Sequence, residues 1–147
     1  AALAGAALTP DVFACAVDIV GPSNLITMME NVPPYWEVWR ETERRCVGDV
    51  KTERAFLESR SPLFHADKIR IPLLIAQGAN DPRVPRRESD KIVEALRRRG
   101  IPVEYILFDD EGHGFSRPEN RLPFYRQAEQ FLARHLQAQS LDSGLAI

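Results

Sequence analysis

The sequence predicts an α/β protein with about three parallel strands and flanking helices. Three short apolar runs, at residues 14–20, 72–77 and 102–108, have the length of buried strands and are bounded by prolines and glycines. Segments with helical residue patterns lie between these runs. Strands that alternate with helices are joined by right-handed crossovers, which generate a parallel sheet. The run at 14–20 is almost entirely apolar, which favours a central strand with a further neighbour.

The helices of the N-terminal half are indicated by good helix formers and by the breakers that bound them. Residues 1–8 are rich in alanine, the best helix former, and Thr9-Pro10 ends the segment. Residues 35–46 follow Pro34, which suits a first helical turn. The remaining segments are predicted to be a loop or short helix at 23–29, a short helix at 52–59 and an irregular connection at 61–71.

A longer helix is predicted between the second and third strands, over residues 86–99. Its apolar residues Ile92, Val93 and Leu96 fall on one face, as expected for a helix that packs on a sheet. Gly100 suits the position after a helix, where the backbone often turns left-handed.

The last helix has an ambiguous start. Ser116 and Glu119 have the spacing of a capping box, but a helix that begins there would contain Pro123. The helix therefore either starts near residue 121 or bends at the proline. It is expected to continue to a loose tail at 138–147.

Composition and charge are those of one ordinary globular domain. The 147 residues are 44% hydrophobic and 27% charged, with a net charge of −2. This charge gives no electrostatic basis for binding nucleic acid or an anionic membrane, so neither partner is expected. Cys15 and Cys46 lack the spacing of a metal site, and no metal or other cofactor is predicted. Both cysteines are interpreted as buried free thiols, which fits a reducing, cytoplasmic location.

A carboxylate and a histidine follow two successive strands. Asp81 comes directly after the apolar run and Gly78, at the strand end where α/β enzymes keep their working residues. His113 follows the next strand 32 positions later, with one helix and one strand between them. An acid that orients a histidine, which in turn takes a proton from a hydroxyl or thiol nucleophile, suits this arrangement.

Each of these two residues also has a purely structural interpretation. Asp81 could simply close its own turn, because Asn80-Asp81-Pro82 is typical of turns. His113 could be an ordinary histidine of a surface loop. The order in which the acid precedes the histidine is that of α/β-hydrolases, and it favours the catalytic pair.

Two motifs make the chain resemble a known family. Residues 78–85 read GANDPRVP, and residues 111–115 read EGHGF. Together with Ser61-Pro62-Leu63, they are similar to the C-terminal end of the prolyl oligopeptidase family of serine peptidases. That family has the α/β-hydrolase fold and includes acylaminoacyl-peptidase-like and dipeptidyl-peptidase-like members. The resemblance extends from Ala1 to about Leu136.

The resemblance implies roles for three residues. Asp81 would be the acid of a Ser-His-Asp triad, His113 would be its base, and Arg83 would contact the bound peptide. The substrate would be a peptide, hydrolysed by acyl transfer without a cofactor.

The nucleophile expected for such an enzyme has no counterpart in this sequence. A nucleophile elbow requires G-x-S-x-G, and no serine of the sequence lies in this pattern; Ser23 has a glycine two positions before it but Leu25 where a small residue is needed. Ala1-Ala2-Leu3 looks like the end of the run that follows the elbow in the family. Residues 1–147 are therefore interpreted as part of a peptidase catalytic domain that begins inside the nucleophile helix.

Aromatic residues supply candidates for a substrate-binding wall. Trp36 and Trp39, with Tyr35, could line the pocket beside the scissile bond, or they could pack their helix onto the sheet. His65 is interpreted as structural and His135 as a surface residue.

The sequence thus predicts a serine peptidase that is inactive as the isolated chain. Its expected partners are a peptide substrate and the missing N-terminal part of the same enzyme, with a homodimer through the strand at 14–20 as a further possibility. Two other functions stay open: an esterase or lipase on the same fold, and an interaction module that uses the open sheet edge.

Overall fold

A computed structural model describes residues 1–136, which form a three-stranded parallel sheet with helices packed against it. The strands are β1 (Ala16–Ile19), β2 (Leu73–Gly78) and β3 (Val103–Phe108), in the spatial order β1-β2-β3. Both neighbouring pairs are parallel. The predicted α/β class is therefore confirmed, although β1 is shorter than expected. The predicted tail at 138–147 lies outside the described residues.

Helical segments flank the strands throughout the described part of the chain. Most of these segments agree with the predicted positions. Two differ in type: residues 34–39, where most of the segment was predicted as part of a helix, form a 3-10 segment, and much of the connection before β2, predicted to be irregular, is also 3-10. The α-helices are α1 (Ala2–Leu8), α2 (Leu25–Glu30), α3 (Arg40–Cys46), α4 (Arg54–Arg60), α5 (Arg87–Arg98) and α6 (Pro118–His135), and the 3-10 segments are Pro34–Trp39 and Pro62–Lys68.

Strand β2 is the centre of the core, and every one of its residues is buried. Successive side chains of a strand point to opposite faces. Leu73 and Ile75 accordingly pack with α1 and α5, whereas Leu74 and Ala76 pack with Phe124 and other residues of α6. Because helices cover both of its faces, β2 is held firmly, and so is the turn that follows it.

Strand β1 lies at the edge of the described sheet, not at its centre. Within residues 1–136 it pairs only with β2, and Ile19 is 43% exposed. A further neighbour for this strand stays a prediction. Within the same residues, no helix is both long and apolar enough to cross a membrane.

The predicted helix at 35–46 is divided into a 3-10 segment and α3, and its aromatic residues do not pack on the sheet. None of the residues of Pro34–Trp39 is buried, and Tyr35 and Trp39 are 58% and 60% exposed. The alternative in which these rings form core contacts is therefore wrong. The segment lies outside the layer of helices that covers the sheet.

The start of α6 and the environment of one cysteine also differ from expectation. Helix α6 begins at Pro118 and continues through Pro123, so a start near residue 121 is wrong. Ser116 does not cap this helix, because its backbone N–H and hydroxyl donate to Glu111 instead. Cys46 is exposed at the end of α3, and only Cys15 is the buried thiol that was predicted.

Asp18 on β1 should make stability depend on pH. Burial raises the pKa of its carboxyl from 3.8 to about 6, although the backbone N–H of Gly21, 3.2 Å from Oδ2, favours the charged form. The unfolded chain releases this proton at lower pH than the folded chain. The contribution of Asp18 to the free energy of unfolding should therefore fall by about 3 kcal/mol in total, and most of this decrease should occur as the pH rises from about 4 to about 6.

Urea denaturation at several pH values between about 4 and about 6 tests this decrease in the free energy of unfolding. Asp18→Asn keeps an oxygen for the Gly21 N–H and should remove most of the decrease, whereas Asp11→Asn, at an exposed position, should retain it. An Asp18→Asn variant with the pH dependence of the wild type would show that Asp18 is not the group responsible.

Candidate active site

The turn after β2 is closed by the Asp81 carboxylate. Its Oδ1 accepts hydrogen bonds from the backbone N–H groups of Arg83 at 2.8 Å and Val84 at 2.9 Å. The side chain is completely buried. Asp81 therefore does hold its own turn, as the structural alternative proposed. These hydrogen bonds use Oδ1 of the carboxylate and leave Oδ2 available for another partner.

The second oxygen of Asp81 faces His113. The histidine Nδ1 lies 2.8 Å from Asp81 Oδ2, and its side chain is 32% exposed. Because a carboxylate accepts hydrogen bonds, this contact places the imidazole proton on Nδ1. The described residues offer Nε2 no hydrogen bond, so that nitrogen is free to accept a proton from a reacting group.

The sheet explains why two residues so distant in sequence meet. Strands β2 and β3 are parallel and paired up to Gly78 and Phe108. The loops that follow the two strands therefore start at the same end of the sheet. The backbones of the two loops then touch. A Cβ atom at Gly78 would lie 2.2 Å from the carbonyl oxygen of Gly112, so only glycine fits there. Gly114 has a φ of +105°, which also favours glycine.

Gln77 supports the carboxylate from beneath, and the sequence analysis did not identify it. Its amide nitrogen donates to the carbonyl oxygens of Gly78 and Val84, at 3.0 and 3.1 Å, and lies 3.4 Å from Asp81 Oδ2. Its amide oxygen accepts from the Ser89 hydroxyl of α5 at 2.9 Å. The signal in the sequence is a single polar residue at the end of an otherwise apolar buried strand.

Glu111 organises the loop that carries His113, and it too was missed as a functional residue. It is buried, and its carboxylate accepts hydrogen bonds from the backbone N–H groups of Ser116 and Arg117 and from the Asn120 amide. Burial alone would raise the pKa of Glu111, but these hydrogen bonds lower it below its ordinary value. The ionised form therefore ties the histidine loop to the start of α6.

Of the predicted substrate-binding residues, Arg83 and Trp36 lie beside His113. The Arg83 guanidinium is 5.3 Å from the centre of the Trp36 ring, and both side chains line a cavity of about 90 Å³ together with His113. Trp39 does not reach this cavity. It borders an open depression that shares Trp36 and Glu43 with this cavity.

The contacts of Ser23, His65 and His135 are those of residues with a structural role. Ser23 is completely buried, and its hydroxyl donates to the backbone oxygen of Glu88 at 2.8 Å, which leaves it unsuited to nucleophilic attack. His65 contacts the backbone oxygen of Ser59, and the His135 ring packs against an aromatic ring of α6. Within residues 1–136 no cluster of three or more His, Cys, Asp or Glu side chains could hold a metal ion.

Known proteins match this chain over most of its length. A family model described as the prolyl oligopeptidase family matches residues 1–139. Dipeptidyl aminopeptidase BIII of Pseudoxanthomonas mexicana is 55% identical over 138 residues, 92% of this chain and 20% of that protein. Dipeptidyl peptidase family member 6 of Caenorhabditis elegans is 50% identical over 131 residues, 87% of this chain and 18% of that protein.

The fold agrees with a solved structure of a Mycobacterium tuberculosis puromycin-hydrolyzing peptidase. The two superpose with a TM-score of 0.83 at 29% identity, over 91% of this chain and 20% of that one. The chain thus spans about a fifth of the length of the relatives it matches.

Replacement of Gln77 by methionine should destabilise the fold. Methionine preserves the approximate volume but leaves the buried Ser89 hydroxyl and the Val84 carbonyl without their partner. The expected loss in the free energy of unfolding is about 2 kcal/mol. Gln127→Met, at an exposed position of α6, serves as the control and should change stability by less than about 0.5 kcal/mol. Equal unfolding midpoints in urea for the two variants would contradict a supporting role for Gln77.

Proposed function

The chain belongs to the prolyl oligopeptidase family of serine peptidases, and we propose that it supplies the acid and the base of a peptidase triad. In this proposal Asp81 orients His113, and His113 activates a serine nucleophile. The observation that carries the proposal is the 2.8 Å contact between Nδ1 of His113 and Oδ2 of Asp81, which leaves Nε2 free. The same two atoms would be joined in a Ser-His-Asp triad.

The proposed reaction is the hydrolysis of a peptide bond by acyl transfer. His113 Nε2 takes the serine proton as the serine oxygen attacks the scissile carbonyl, and then gives that proton to the departing amine. In the second half, Nε2 takes a proton from water as the water oxygen attacks the acyl-enzyme, and then gives that proton to the serine oxygen as its bond to the acyl group breaks and the acid is released. Throughout, Asp81 keeps the Nδ1 proton in place and stabilises the imidazolium. Arg83, exposed beside the histidine, would bind a carbonyl oxygen of the peptide.

The nucleophile in this proposal comes from outside residues 1–147. No serine of the sequence lies in G-x-S-x-G, and Ser23 is buried and hydrogen-bonded. The complete enzyme is accordingly the polypeptide that carries these residues together with the serine and the oxyanion hole. Its remaining strands would pair with the open edge of β1. An apolar cavity of about 340 Å³ beside that edge, lined by Phe13, Cys15 and Val17 among others, supports this docking.

A peptide is favoured as substrate over a lipid or simple ester. The two relatives with 50% identity or more have names that describe them as dipeptidyl peptidases, which supports short peptides as substrates of the complete enzyme. The esterase alternative is tested by comparing aminoacyl-naphthylamides with short acyl esters as substrates. A homodimer through the β1 edge and the cytoplasmic location stay predictions.

Asp81→Asn should nearly abolish activity of the complete enzyme. Asparagine can hold the turn through its oxygen but favours the wrong histidine tautomer, so kcat should fall by about 10⁴-fold, as in other serine triads. Asp109→Asn removes an exposed carboxylate from the neighbouring loop and should leave kcat close to that of the wild type. Comparable rates for both variants would exclude Asp81 from the mechanism.

The isolated chain of 147 residues should not react with a fluorophosphonate probe, which labels activated serines. The complete enzyme should be labelled, because it combines the serine with His113. Mass spectrometry of the labelled peptide identifies the residue. Modification of Ser23 in the isolated chain would overturn the proposal that the nucleophile lies elsewhere.

A further inference from the structure

The turn that follows β1 contains a strained residue. Val20 has a φ of +50°, and within residues 1–136 it is the only residue other than glycine with a positive φ. A β-branched side chain is rarely found in this left-handed region, because its Cβ substituents crowd the backbone. Such strain persists only where the surrounding contacts impose it, and strained residues are concentrated at functional sites.

Asp18, two residues earlier on β1, holds this turn. The residue is buried, and its Oδ2 accepts the backbone N–H of Gly21 at 3.2 Å. The carboxylate lies so close to Gly21 that a Cβ atom there would be 2.2 Å from Oδ1. On the other side, the N–H of Val20 donates to the carbonyl oxygen of Ala76 on β2 at 2.9 Å. The strained residue is thus fixed by the Asp18 carboxylate and by the neighbouring strand.

This turn lies between the two parts of the proposed active site. Strands β2 and β3, which lead to Asp81 and His113, lie on one side of β1. In the proposed enzyme, the strand that leads to the serine pairs with β1 on its other side, because consecutive parallel strands joined by a helix are usually neighbours. All these strands end at the same edge of the sheet, so the turn after β1 lies beside the serine as well as beside the acid.

The Asp18 carboxylate also lies near the start of α1. Asp18 shares a face of β1 with Ala16, which packs with residues of α1. Ala1, at the start of this helix, lines a cavity together with Ala16 and Val17 of β1. Burial raises the pKa of Asp18, and the amino group of Ala1 is close enough to lower it. One carboxylate is therefore close both to the strained turn and to the helix that would follow the serine.

We propose that Asp18 is a positioning residue that fixes the segment carrying the serine relative to the acid and the base. The proposal rests on the proposed function and on the interpretation of α1 as the continuation of the nucleophile helix. Asp18 touches no reacting atom in this role. It acts through Gly21 by holding Val20 in its strained conformation. A displacement of about 1 Å in an active site can lower the rate about 10²-fold, so a relaxed turn should impair catalysis.

Asp18→Leu in the complete enzyme removes the hydrogen-bond acceptor and tests this role. Both kcat for a peptide substrate and the rate of labelling by a fluorophosphonate probe should fall about 10- to 100-fold, whereas KM should change less than about 3-fold. Asp18→Asn keeps an oxygen for the Gly21 N–H and should restore both rates to within about 3-fold of the wild type. Unchanged rates in Asp18→Leu, or an equal loss in both variants, would overturn the proposal.

Phe131→Leu is the matched control, because it removes buried volume from the α6 side of the core and destabilises the fold without a contact to the turn. It should leave both rates unchanged while the protein is folded. If Asp18→Leu does not fold, Gly21→Ala provides the second test: its Cβ displaces the carboxylate and should cause the same loss, and wild-type rates there would contradict the role of Asp18. A wild-type enzyme that neither reacts with the probe nor cleaves peptides would instead refute the proposed function.

Discussion

The structure depends on one carboxylate whose two oxygens have different partners. Oδ1 of Asp81 accepts two backbone N–H groups and so closes the turn after β2. Oδ2 faces Nδ1 of His113. The first set of hydrogen bonds fixes the carboxylate, and the fixed carboxylate then determines which imidazole nitrogen carries the proton. The structural and the chemical roles of Asp81 therefore support each other.

Helix α5 joins the two sides of the site through consecutive residues. Ser89 donates to Gln77, which lies beneath Asp81, and so supports the acid. Glu88 accepts hydrogen bonds from the backbone N–H of Asn24 at 2.9 Å and from the hydroxyl groups of Ser23 and Thr27, so it holds the start of α2. The residues after α2 form the wall of the cavity beside His113. The start of α5 thus sets the distance between Asp81 and this wall of the cavity.

The sequence was sufficient for the elements whose signals are local. Short apolar runs identified all three strands, and the turn and loop motifs identified Asp81 and His113, which the pairing of β2 with β3 brings together. The sequence was insufficient where the role of a residue depends on partners that are distant along the chain. The roles of Gln77 and Glu111 depend on hydrogen bonds from Ser89 and Asn120, and no periodic pattern in the sequence connects these pairs. The sequence also left two alternatives open for the aromatic segment, because the spacing of its rings does not tell whether they pack on the sheet or line a cavity.

The most direct test of this account is the protonation of the two His113 ring nitrogens, measured by heteronuclear NMR spectroscopy near neutral pH. The account predicts a proton on Nδ1, in a hydrogen bond to Asp81, and none on Nε2. It also predicts that this preference disappears when Asp81 is replaced by asparagine. A ring protonated on Nε2, or one that exchanges freely between both forms in the wild type, would contradict the claim that Asp81 prepares His113 as a base.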